Sequence, residues 1–217
     1  TYAILDAEWT LSCPFSAALS SGLDALVHSM ESFMCHQANP LTRMYSREAF
    51  RLLYFALPCL VEDPTNRDKR QQLILASYIA ATGLFNSGSG VAGAISYPLG
   101  VHYGLPHGLG GGMLLLDVIE FNIEKGYYEY SKLFDLIEKK PNRRNLSKKE
   151  KSEFVIHSLL KILKNSKSTL KAANIPKSQN AKILKFISKT PNKISSNSVI
   201  TSLVSKNPIQ LNKEDLT

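Results

Sequence analysis

Cysteine is scarce in this 217-residue chain, and Cys13, Cys35 and Cys59 form no C-x-x-C pair. That excludes a disulfide framework and suits a reducing compartment. Long apolar runs are missing too. The run at 113–116 is stopped by Asp117, far short of the roughly 20 residues that a membrane helix needs. The opening residues carry no secretory pattern, so the expectation is a cytoplasmic protein without a membrane partner. Period-two alternation is nearly absent, which excludes a sheet of useful size. A short β-prone run at 2–5 is the exception.

Acidic residues thin out along the chain. Residues 1–138 hold 8 Lys+Arg against 14 Asp+Glu, whereas residues 139–217 hold 18 against 4, so the net charge of +8 belongs to the tail. A basic tail is one route to a partner, through residues such as Lys182, Lys185 and Lys189, and a non-catalytic helical binding module is one reading of the chain. The tail lysines stand at helical intervals among Ser, Asn and Ile, with Phe154 and Phe186 as the only aromatics and no nucleic-acid signature. They read as solvated helix faces rather than a nucleic-acid surface.

What is present is ordinary globular material, 44% hydrophobic and 20% charged, enough for one core. Apolar residues recur at helical spacing over 17–34, 41–61 and 67–85, with Asn39-Pro40 and Asp63-Pro64 as breaks and Pro58 as a kink or early end. From 86 to 112 the chain holds nine glycines and two prolines, a density that suggests close packing or room around something bound. No phosphate-loop pattern occurs there in its required setting. An apolar helix is expected at 113–123. Beyond Pro141, Ser147 and Glu150 have capping-box spacing for a helix toward Lys171, followed by shorter pieces at 181–189 and 196–205. The fold class is all-α and bundle-like: one domain over 1–217, with a core at 1–138 and a Lys-rich helical tail region at 139–217.

Asp24 and His28 lie four apart on the first long helix and project from one face, so a carboxylate and an imidazole can close on one cation. Such pairs also form plain surface hydrogen bonds. The later Pro106-His107-Gly108 offers a third ligand, and an Asp, His, His set leaves coordination positions open. Gly22, close by, permits close approach of a ligand or of a neighbouring helix. His36 and His157 stand outside any motif and read as surface residues.

The string Gly22-Leu23-Asp24-Ala25-Leu26-Val27-His28-Ser29-Met30-Glu31, followed in order by Tyr97-Pro98-Leu99-Gly100 and Leu105-Pro106-His107-Gly108, resembles the helical C-terminal domain of the iron-containing (group III) alcohol dehydrogenases. The likeness is strong before about residue 138 and weaker beyond it, reaching loosely to 207–216. It implies the helical half of a dehydroquinate synthase-like fold, without the N-terminal Rossmann-type domain. It also implies a metal-dependent NAD(P)-linked alcohol dehydrogenase or aldehyde reductase, with Fe2+ or Zn2+ held by Asp24, His28 and His107. A small alcohol or aldehyde would be the substrate, and a homo-oligomer the full-length form.

The resemblance places one more His ligand 14 residues before His107, where this chain has Gly93. Either three ligands and water hold the ion, or the site is degenerate and the enzyme does not use metal in this way. His102 is a substitute only if the fold brings it back, since nine helical residues span about 13 Å. Tyr97 stands where relatives carry His or Tyr, and is expected in proton relay or substrate contact, or as a packed ring beside Pro98. NAD or NADP would be bound mainly by the absent half, so residues 1–217 alone are expected to be catalytically incompetent.

Overall fold

The computed structural model describes residues 2–140, 143, 145–172 and 208, with residues 103 and 164–172 described by backbone alone. Among the described residues there are helices and no strand. A short helix, α1 (Glu8–Leu11), leads into α2 (Phe15–Met34), α3 (Pro40–Glu62), α4 (Arg67–Phe85), α5 (Val91–Tyr103) and α6 (His107–Glu124). A 3-10 turn (Glu129–Leu133), α7 (Phe134–Ile137) and α8 (Lys148–Ala172) follow.

The run at 2–5 is a correction to the sequence reading. It forms no strand, having no neighbour to pair with among the described residues, and Tyr2 and Ile4 stand exposed. Its end is tied instead by one side chain: Gln71 donates to the Leu5 carbonyl and accepts from Ala7 N–H, both at 2.9 Å. Pro58 neither ends nor shortens α3, which continues to Glu62. The glycine-dense stretch contains a helix of its own, α5, which stops where Gly104 turns left-handed at φ 65°.

Helix starts follow local chemistry. Asn39 accepts from the backbone of Leu41 and Thr42 while the Thr42 hydroxyl accepts from Asn39 N–H, a capping box ahead of Pro40. Asn66 caps α4 through Lys69 N–H. At α8 the Ser147 and Glu150 side chains each accept from the other's backbone N–H. The helices expected at 181–189 and 196–205 and the proposed contact lysines fall outside the described residues.

α2 is the hub and packs against α3, α4 and α6. Leu23, Leu26, Met30 and Phe33 on α2 are buried with Phe50, Leu53, Leu57 and Leu60 of α3 in the main cluster, each such side chain contributing about 1.5–3 kcal/mol by leaving water. α8 joins the same core through Val155, Leu159 and Leu163. The small residue at 22 serves a neighbouring helix: a Cβ there would lie 2.6 Å from Leu57 Cδ2. No described helix is long and apolar enough to cross a membrane.

Removing the α3 cap tests how far its start depends on local chemistry. Asn39→Ala is expected to lose about 1 kcal/mol in urea unfolding. An unchanged midpoint would mean that packing alone sets where α3 begins.

Candidate metal centre

Two helices make the site. α2 presents Asp24 and His28 on one face, and α6 presents His107 as its first residue, immediately after Pro106. His28 Nε2 and His107 Nε2 each stand 3.6 Å from the same Asp24 oxygen, Oδ1. One ligand atom from each of the three residues lies within 4.8 Å of the others. The side chains retain 23–33% of their exposure, so the cluster opens to solvent on one side.

The approach of α6 is set by Gly108. A Cβ at that position would run into the Ser20 carbonyl oxygen and come within 2.7 Å of Asp24 Cβ. Only glycine allows the first turn of α6 to rest on the backbone of α2, which brings His107 to Asp24. Gly111 continues the contact, its Cβ position 3.2 Å from Val27 Cγ2.

α5 walls the other side of His107. Tyr97 places its ring centroid 4.5 Å from that of His107 and is itself more than half exposed at the mouth of the site. Buried Ser96 donates to the Gly93 carbonyl at 2.6 Å, and its Oγ lies 2.7 Å from His107 Nδ1 and 3.4 Å from Nε2. A hydroxyl in line with one ring N–H would be far from the other nitrogen, so Ser96 lies across the ring and props it without selecting a tautomer.

Asp24, His28 and His107 are thus brought together, with Tyr97 beside them. Gly93 supplies no donor atom, and His102 is exposed on the last turn of α5, outside the cluster. His36 and His157 are exposed, the latter hydrogen-bonded to the Glu153 carbonyl. Ser96 and Glu31 are not among the candidates read from the sequence. Nothing in the sequence marks Ser96, because its partner is eleven residues away. Glu31 carried a signal, being seven residues past Asp24 and three past His28, and so an ionisable group on their face of α2.

The family model described as "Fe-containing alcohol dehydrogenase family, C-terminal" matches residues 18–217. The chain is similar to the 1-propanol dehydrogenase PduQ of Salmonella typhimurium, 34% identical over 120 residues, covering 55% of this chain and 32% of that protein. It is also similar to the 4-hydroxybutyrate dehydrogenase of Clostridium kluyveri, 32% identical over 133 residues, covering 59% and 34% respectively. Among solved structures, a 1,3-propanediol oxidoreductase superposes with a TM-score of 0.81 at 21% identity, covering 97% of this chain and 52% of that one. The sulfoacetaldehyde reductase of Bifidobacterium kashiwanohense, solved in complex with NAD+, gives 0.73 at 21% identity, with 97% and 51% covered. The chain therefore spans about a third of these curated relatives and about half of these solved structures.

Substituting the contact glycines separates close approach from composition. Gly108→Ala is expected to lose about 1–3 kcal/mol in thermal or urea unfolding, because backbone rather than a movable side chain blocks the new methyl. Gly112→Ala, whose methyl would sit at an ordinary 3.4 Å from Leu23 Cβ, is expected to be neutral or stabilising by up to about 1 kcal/mol. Equal losses at both positions would contradict the packing described.

Proposed function

Because this chain belongs to the iron-containing alcohol dehydrogenase family through its C-terminal region, we propose that it forms the metal-binding half of an NAD(P)-linked alcohol dehydrogenase or aldehyde reductase. Asp24, His28 and His107 hold Fe2+ or Zn2+. The observation that carries this reading is the pair of imidazole nitrogens 3.6 Å from one carboxylate oxygen. Ligand atoms bonded to such an ion at about 2.0–2.2 Å in tetrahedral geometry stand about 3.4 Å apart, so two of the three edges already fit.

When bound, the ion supplies Lewis acidity toward an alcohol or aldehyde oxygen. Asp24 offsets part of its charge, and the two imidazoles bind it only when neutral, so uptake weakens as they are protonated. The solvent-open side leaves room for a small alcohol or aldehyde, with Tyr97 at the mouth to contact it or carry a proton. Hydride transfer also needs a nicotinamide held against the reacting carbon. The described residues contain no strand leading into a glycine-rich phosphate turn, and in this reading the nucleotide is bound by elements other than these helices.

Gly93 favours a second reading, the same fold with a degenerate site, because the donor set among the described residues stops at three. Metal analysis after anaerobic purification separates the two. About one Fe or Zn per chain is expected, and His107→Ala should lose it under dialysis that the unaltered chain withstands. An unaltered chain that retains no metal after reconstitution with either ion would decide for the degenerate site.

A further inference from the structure

Beyond its two candidate ligands, α2 carries a third polar side chain along the same stripe. Glu31 follows His28 by three residues and is fully buried. Its Oε2 accepts from Ser89 Oγ at 2.7 Å and from Gly90 N–H at 2.8 Å, and its Oε1 accepts from Gly93 N–H at 3.1 Å. Gly90 is the N-cap residue just before α5 and has no side chain to cap it, so the cap comes from another helix. A carboxylate at that end meets unpaired N–H groups and the positive pole of the helix. Charge-assisted bonds of this kind are the stronger ones.

The contacts continue toward His107. Gly93, whose N–H is held by Glu31, uses its carbonyl to accept from Ser96, and that hydroxyl lies against the His107 ring. Tyr97, the next residue, packs against the same ring at a tilt of 48°. The position where a fourth ligand is missing is therefore a backbone node between a buried carboxylate and the wall of the site.

We propose that Glu31 is a positioning residue: by clamping the first turn of α5 it sets Ser96 and Tyr97, and through them holds the His107 imidazole facing Asp24. The consequence for affinity rests on the reading of Asp24, His28 and His107 as metal ligands, whereas the clamp itself is independent of it. With three candidate ligands among the described residues, the orientation of each one weighs more in the binding of the ion. Outer-shell partners of ligating histidines commonly change affinity by about 10–100-fold.

The experiment uses the intact chain with two readouts. In metal-free protein, the imidazole 15N shifts of His107 are compared among the unaltered chain, Glu31→Gln and Ser96→Ala. Cobalt(II) is then titrated and followed by its visible absorption, which reports both affinity and coordination geometry. Both variants are expected to move the His107 resonances more than those of His28 and to weaken cobalt binding about 10-fold. A lowered unfolding temperature with unchanged His107 shifts and unchanged cobalt affinity would reduce Glu31 to a cap and overturn the proposal. If Glu31→Gln does not fold, Ser96→Ala and Ser89→Ala carry the same comparison. If the unaltered chain takes up no cobalt, the metal reading falls, and the His107 shifts still decide the clamp.

Discussion

The contact between the first turn of α6 and the backbone of α2 governs the rest of the site. At Gly108 the helices meet with no room for a methyl group, because the Ser20 carbonyl and the Asp24 main chain fill that space. Helix axes ordinarily stand about 8–10 Å apart, held off by side chains at the contact. Aspartate has a short side chain, and here it must reach an imidazole on the facing helix. A larger residue at 108 would hold His107 away from Asp24. Gly108, Gly111 and Gly112 share one helix face at spacings of three and four, and they rest on Ser20, Val27 and Leu23 of α2.

This arrangement has an energetic cost. Each glycine inside a helix is worse than alanine by about 0.5–1 kcal/mol, through chain entropy and lost side-chain contact. The offset comes from α2, whose aliphatic side chains cover the glycine face and are themselves removed from water on all sides. α6 compensates further along the same face, burying Leu115, Ile119 and Ile123, with Leu114 beside them, in the same cluster. Glycine density therefore marks where the structure trades helix propensity for proximity, and that proximity sits at the candidate site.

Periodicity made most helices legible in the sequence. α4 was bounded correctly and α3 to within a residue at each end, since Asn39-Pro40 and Asp63-Pro64 are local signals with local effects. α5 was not legible as a helix, because Gly90, Gly93, Gly100 and Pro98 all argue against one when read singly. Its stability comes from elsewhere: Glu31 satisfies its first turn from another helix. The strand signal at 2–5 failed for a related reason. Propensity describes the segment, but pairing requires a neighbour that the described residues do not supply. The convergence of Asp24, His28 and His107 was anticipated partly by i, i+4 spacing and partly by family resemblance. Ser96 has no signature at all, since its partner is fixed only by how α5 and α6 fold back on each other.

A single stripe of α2 thus serves two tasks that are usually separate. Asp24 and His28 point at the candidate centre, and Glu31, another turn along, holds the helix that walls it. Because all three project from one rigid helix, their relative placement is fixed by the 3.6-residue repeat and not by loop conformation. His107 comes from a separate helix and needs two external constraints to meet them: glycine at 108 sets its distance, and α5 sets the lean of its ring. Gly93 belongs to the second constraint. It contributes no ligand, yet its N–H and carbonyl join the buried carboxylate to Ser96. What that position gives up in coordination it retains as geometry, through backbone atoms that every residue type except proline possesses.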